Sequence, residues 1–270
     1  MSAQEDRVAE FRRLHDSGCF VMPNPWDVGS AKVLEQMGFK ALATTSAGMA
    51  WTLGKVDDEA SLQETLEHLR VLAHAVSVPV NADFQGAFAV EPEQVEANVK
   101  LAVTTGIAGL SVEDATGDAA DPLFEFDLAV ERVRAARRAI DAGGSGVLLT
   151  GRSEGFVRGR PDIEETIRRL LAYREAGADC LYAPRIEDVE HVRAIIDAVA
   201  PAPVNVLINA PFLTVAEAAD LGVRRVSVGG TLARTAWGGF LDAAREIADA
   251  GSFSGFQHLP NVEALLASER

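Results

Sequence analysis

Two carboxylates, each closing a short apolar run, are the residues in this chain best placed to do chemistry. Asp83 ends Val80-Asn81-Ala82-Asp83, and Glu113 ends Leu110-Ser111-Val112-Glu113. If the two runs are adjacent strands of a parallel sheet, they lie about 4.8 Å apart and their side chains can reach one point. Carboxylates that close repel each other unless a cation or a shared proton lies between them. A hard cation such as Mg²⁺ suits such oxygen donors, because it keeps several waters and needs few protein ligands. Each residue also has a plainer reading. Asp83 could cap the helix that follows. Glu113-Asp114 could be a solvated strand end. Arg152, behind Val147-Leu148-Leu149-Thr150-Gly151, could simply pair with Glu154. Three such residues on one rim favour a site over three coincidences.

Other chemistries find less support. His15, His68, His74, His191 and His258 fall on predicted helices or in the C-terminal tail, so no group has zinc spacing. The lysines are Lys32, Lys40, Lys55 and Lys100, and none ends the sixth apolar run, which disfavours a Schiff-base aldolase. Gly229-Gly230 could cradle a phosphate at the start of the last long helix, although close packing is the simpler reason for such a pair.

Eight β-branched runs alternate with segments of helical period. The strand candidates are 19–24, 40–45, 79–83, 108–113, 146–152, 179–183, 203–208 and 224–228. Most are continuous apolar stretches, as a sheet buried on both faces requires. Gly38, Pro79, Gly106, Gly177, Pro203 and Gly222 precede strands and suit the turns that end helices. Between them, residues 188–199 place Val189, Val192, Ile195, Ile196 and Val199 on one stripe. The segments 127–140 and 231–247, and the one opened by Pro161-Asp162, behave alike. Eight such units predict an α/β protein, a (β/α)8 TIM barrel occupying residues 1–270 as one domain, with a helical tail from about residue 250. A doubly wound open sheet is the alternative, weakened because no G-x-G-x-x-G follows the first strand. In a barrel the strand ends form the site. They deliver Asn24, Thr45-Ser46, Asp83, Glu113-Asp114, Arg152, Arg185, Asn209 and Gly229-Gly230. Asn209 could touch substrate or bond within its own loop.

The 270 residues carry a formal net charge of −15, which argues against a nucleic-acid partner, since that needs basic patches. No signal peptide or membrane-spanning run is evident. Cys19 and Cys180 lie in apolar runs and read as separate buried thiols of a reducing, cytoplasmic setting. The flanking helices 3–15 and 262–268 read as surface elements.

These residues resemble the isocitrate lyase / phosphoenolpyruvate mutase superfamily from about Phe11 to Ala250. The matching stretches are Pro23-Asn24-Pro25-Trp26-Asp27, Thr44-Thr45-Ser46-Ala47-Gly48, Val80-Asn81-Ala82-Asp83, Ser111-Val112-Glu113-Asp114 and Gly151-Arg152-Ser153-Glu154. The resemblance implies Asp83 as the principal ligand of Mg²⁺, or of Mn²⁺ in its place, with Glu113 and Asp57 joining through water. It implies that the backbone of Ser46, Ala47 and Gly48 receives a substrate carboxylate and that Arg152 holds the anionic group, for which a guanidinium fork is suited. Asn209 is included among the substrate contacts. The shared chemistry is a 2-oxo acid whose enolate the metal stabilises as a bond to C3 breaks. A homotetramer that exchanges C-terminal helices is implied as well.

The chain departs from that pattern twice. Gln85 stands where the family has a second acid; its amide oxygen can still accept from a metal-bound water, but one negative charge is lost and metal affinity should fall. The segment after the fourth strand, Ala115-Thr116-Gly117-Asp118-Ala119-Ala120-Asp121-Pro122, has no Lys, Cys or His. A lyase that uses the family's cysteine as general acid is therefore excluded. The expectation is a Mg²⁺-dependent carbon–carbon lyase or decarboxylase acting on a 2-oxo acid, since CO₂ leaves without a general acid. A phosphonopyruvate-type P–C mutase or hydrolase is the second reading, and an oxo-acid-binding pseudoenzyme is the third.

Overall fold

A computed structural model of the protein describes residues 2–267. Eight parallel strands alternate with helices as a (β/α)8 barrel. The strands are β1 (Phe20–Met22), β2 (Leu42–Ala43), β3 (Val80–Asp83), β4 (Gly109–Glu113), β5 (Leu148–Arg152), β6 (Cys180–Tyr182), β7 (Val204–Leu207) and β8 (Arg225–Ser227). Ladders run in the order β1-β8-β7-β6-β5-β4-β3-β2. The seam between β1 and β2 has no ladder. It is stitched by the Ala43 amide, which donates to the Pro23 carbonyl at 3.0 Å, and by the Asn24 amide, which donates to the Thr44 carbonyl at 2.8 Å.

The helices around the barrel are α2 (Val28–Gln36), α3 (Ser46–Thr52), α4 (Leu62–Ala75), α5 (Pro92–Val103), α6 (Phe126–Ala142), α7 (Ile163–Glu175), α8 (Val189–Val199), α9 (Val215–Asp220) and α10 (Thr231–Ala250). Their starts follow local rules. Asp27, Ser61 and Thr214 each accept from the backbone three residues on, and Ser30, Glu64 and Glu217 answer by bonding back, as capping boxes do. Asp162 and Asp188 cap α7 and α8. On α8 the predicted stripe buries Val192, Ile195 and Val199. Gly38, Gly106, Gly177 and Gly222 all have φ near +90 to +105°, a left-handed turn that costs glycine little.

One expectation needs correction. The helix α1 (Ala3–Asp16) is more than a surface element, because it plugs the N-terminal end of the barrel. Its Phe11 is fully buried against Gly109, where an added Cβ would lie 2.6 Å from the ring. Gln4 donates to the carbonyls of Val103 and Ile107. The last helix, α11 (Val262–Ala267), is indeed exposed; Ser268 lies outside the described residues. The barrel lumen is polar. Branched apolar side chains fill most such barrels, but here Asn81, Ser111, Thr150, Asn205, Arg225 and Ser227 are all buried on the strands. Among the described residues no helix is long and apolar enough to cross a membrane. Cys19 is partly buried, Cys180 is buried, and both are free thiols.

Candidate active site

Above the polar lumen, at the C-terminal ends of the strands, lies a cavity of about 200 Å³. Ser46, Ala47, Asp57, Asp83, Arg152 and Asn209 line it, as do Asn24, Arg185, Gly229 and Gly230. The candidate residues thus converge, with three exceptions. Gly48 lies behind the wall, where a Cβ would meet the Thr45 methyl at 2.6 Å and Trp26 at 2.9 Å. Its backbone therefore serves packing, and its amide is used in the Thr45 cap of α3. Glu113 and Gln85 face an adjoining hollow formed with Asp58, Thr116, Gly117 and Arg158.

One guanidinium links the two spaces. Arg152 Nη1 is 3.0 Å from Asp83 Oδ1 and 3.2 Å from Glu113 Oε2. The two carboxylates therefore aim at one point, their oxygens no more than about 6 Å apart. Arg152 Nε also donates to Glu154 Oε1 at 2.5 Å. The plain pairing with Glu154 is present, and it holds the guanidinium beside Asp83 and Glu113 on the rim. A ring face of Tyr182 lies 5.3 Å from the guanidinium carbon. Burial pushes the Tyr182 phenol up to about 12, so it is neutral at physiological pH.

Asp83 is half buried and held from two sides. Its own amide donates to Thr44 Oγ1 at 2.9 Å, and its Oδ2 accepts from the Ser46 amide at 3.1 Å. It does cap a helix, but that helix is α3 of the neighbouring unit and not the one following its own strand. Asp57 receives the Ser46 hydroxyl, and its pKa is raised by burial and then by the negative charge of Asp83 and Asp58. Glu113 is only 6% exposed, contrary to a solvated strand end, and burial drives its pKa well above the usual carboxylate range against the pull of Arg152. Asp114 turns the other way. It accepts from the Glu154 amide at 2.7 Å, the Tyr173 hydroxyl at 2.6 Å and Arg169 at 3.2 Å, tying β4 to β5 and α7.

Gln85, in a left-handed conformation at φ +46°, donates its amide to Asp58 Oδ1 at 2.7 Å. Arg158 reaches the same place, 3.6 Å from Asp58 Oδ2 and 3.7 Å from Glu113 Oε1. Sequence reasoning missed Arg158 and Asp58, which read as ordinary loop residues. Arg225 was missed too, although a charged residue inside a buried strand run was a visible signal. Asn24 turns out to be a staple as well as a wall, since its Oδ1 accepts from the amides of Val228 and Gly229, both at 2.9 Å. Asn209 Oδ1 is buried without a hydrogen-bond partner, which favours a substrate contact over a bond within its loop.

The residues fit a divalent cation with limits. Asp58, Asp83, Glu113 and Glu154 face two guanidiniums, Arg152 and Arg158, and the pKa of Asp57 is raised by burial first and then by the charge of Asp83 and Asp58. All the donors are hard oxygens. Among the described residues, however, no three acidic, His or Cys side chains are close enough to enclose a metal ion by themselves. Water or substrate oxygens would complete the shell, as Mg²⁺ tolerates.

Residues 11–248 match the phosphoenolpyruvate phosphomutase family. An uncharacterized protein of Mycobacterium tuberculosis is 30% identical over 88% of this chain and 89% of its own length. An oxaloacetate decarboxylase of Paraburkholderia xenovorans is 30% identical over 67% of this chain and 62% of its own. Among solved structures, a provisionally assigned lyase/mutase of Burkholderia cenocepacia is 43% identical, with a TM-score of 0.96 over 99% of this chain and 98% of that one. Phosphonopyruvate hydrolase in complex with oxalate and Mg²⁺ is 25% identical, with a TM-score of 0.86 over 98% and 96%. Since that family match spans residues 11–248 of the 270, this chain belongs to the phosphoenolpyruvate phosphomutase family of the isocitrate lyase / phosphoenolpyruvate mutase superfamily.

Proposed function

We propose that the protein is a Mg²⁺-dependent lyase that cleaves a carbon–carbon bond next to a 2-oxo acid, by decarboxylation in the first instance. The observation that carries this reading is the convergence of Asp57, Asp83, Arg152 and Asn209 on one small cavity, with Arg152 fixed by three carboxylates. A volume of about 200 Å³ suits an acid of four or five carbons. The likeness to oxaloacetate decarboxylases supports the same class.

Asp83 and Asp57 would hold the cation, with Glu113 and Gln85 acting from the adjoining hollow through water. When bound, the cation would act as a Lewis acid toward negative charge growing on the 2-oxo oxygen. The chain's own residues do the rest. The Arg152 fork orients a carboxylate, and its rigid pairing lowers the cost of that orientation. Asn209 Oδ1, buried without a partner, would accept from an ordered water beside the substrate. In oxaloacetate the C3–C4 bond breaks, its electron pair passes into the C2–C3 enolate, CO₂ departs, and solvent later supplies the proton at C3. That step needs no Lys, Cys or His from residues 115–122, where none is present.

The test is steady-state release of pyruvate and CO₂ from oxaloacetate, with and without Mg²⁺, corrected for metal-catalysed breakdown in solution. No enzyme-dependent turnover of oxaloacetate or of substituted malates would sink the proposal. The likeness to phosphonopyruvate hydrolase favours a second reading, P–C cleavage. Phosphorus NMR of phosphonopyruvate with the enzyme separates the two. A homo-oligomer fits the exposed apolar face of α10, where Trp237, Phe240 and Leu241 face solvent together with Phe253 and Leu259 beyond it. Two free thiols fit a reducing compartment such as the cytoplasm.

A further inference from the structure

Arg225 is a cation in the barrel lumen. The residue is 2% exposed, and among the described residues it forms no ion pair. Nε donates to Asn205 Oδ1 at 2.8 Å, Nη2 to Thr150 Oγ1 at 3.1 Å, and Nη1 faces His15 Nε2 at 3.4 Å. All three partners are neutral. His15 is neutral because burial, with Arg225 beside it, pulls its pKa down to about 3. Its Nδ1 lies 2.7 Å from the Phe11 carbonyl, so the proton sits there and Nε2 is left to accept. Hydrogen bonds from neutral groups offset only part of the cost of taking a charge out of water, and a buried charge is normally paired. Arg225 nevertheless forms part of the cavity wall, at its floor.

We propose that Arg225 is the base of an anion subsite at the floor of the active-site cavity, taking a carboxylate or a halide-sized monoanion. Arg225 Nη2 meets Thr150 Oγ1, and Thr150 lies two residues below Arg152 on β5, about 7 Å of strand. That drop is close to the distance between the two ends of a four-carbon diacid. A substrate held at the Asp83–Arg152 rim could therefore place a second carboxylate on the floor. The same site would accept a free inorganic anion when the substrate is short. This inference uses the cavity of the proposed function but does not need its reaction, so the experiment reads binding and not turnover.

The experiment uses the full chain. Crystals soaked in sodium bromide are measured for anomalous scattering, and melting is followed against millimolar bromide, acetate, malonate and succinate in wild type, Arg225→Met and Arg225→Lys. The expected result is a bromide peak on the Arg225 guanidinium and an anion-dependent rise in melting temperature. Apparent affinity should fall by about tenfold or more in Arg225→Met, the scale of one lost charge-assisted hydrogen bond. Arg225→Lys keeps the charge, so it should bind more weakly than wild type but still respond; it also carries the test if Arg225→Met does not fold. Displacement of bromide by malonate or succinate would identify the anion as the substrate's own carboxylate. Retention would identify a separate inorganic ion; both outcomes support the subsite. Absence of a peak, with the same anion response in wild type and the variants that fold, overturns it.

Discussion

Replacing Arg152 by Met should reveal how much the rim depends on one cation. The guanidinium contacts Asp83 at 3.0 Å, Glu113 at 3.2 Å and Glu154 at 2.5 Å. Glu113 is 6% exposed, and Glu154 is fully buried. Removing one partner of a buried ion pair typically costs about 3–5 kcal/mol, because a charge is left without compensation. Here the cost has a built-in limit. Burial already holds Glu113 and Glu154 above the ordinary carboxylate value of 4.5, and Arg152 pulls both down. Without Arg152 both rise further, and protonation becomes the cheaper way to relieve the strain. A carboxyl group whose folded pKa exceeds its unfolded value costs stability above the folded pKa, and that cost fades as pH falls toward the unfolded value. The difference between wild type and Arg152→Met should thus be largest in mildly alkaline solution, about 3–5 kcal/mol. It should shrink steadily on acidification toward pH 4.5, at up to about 1.4 kcal/mol per pH unit per proton taken up. Urea unfolding in EDTA at a series of pH values measures it, and activity of the variant measures the lost orientation of substrate. A difference below about 1 kcal/mol that does not change with pH would refute the reasoning, since Arg152 would then behave as a surface pair does.

Three further outcomes are expected. Gln85→Asp restores a carboxylate at a left-handed position that Asp tolerates; the Mg²⁺ concentration for half-maximal activity should fall by about tenfold or more, read from a metal titration. Gly48→Ala forces a methyl into space closed by Thr45 and Trp26 and should cost about 1–3 kcal/mol in urea unfolding through overpacking. Tyr173→Phe strips a 2.6 Å hydrogen bond from the buried Asp114 and should destabilise by about 1–3 kcal/mol, with KM changed little if Asp114 serves only to tie strands together.

The barrel and most of its rim were legible in the residues before any coordinates. Strand runs, caps and left-handed glycines depend on neighbours a few residues away, so periodicity and turn chemistry reveal them. Strand ends in a barrel share one face by geometry, which is why Asp83, Glu113, Arg152 and Asn209 could be gathered from four separate stretches. What only the tertiary structure decided is the direction of each side chain around those strand ends and in the lumen. Glu113 and Asp114 are adjacent in sequence, yet one meets Arg152 and the other anchors α7. Gln85 turns to Asp58, and Arg158 arrives from the β5–α7 loop to join them. Arg225 is buried among neutral partners drawn from β5, β7 and α1. Such choices are settled by charge balance and desolvation among groups distant in the chain, and electrostatic energies of that kind exist only once the barrel has closed around them.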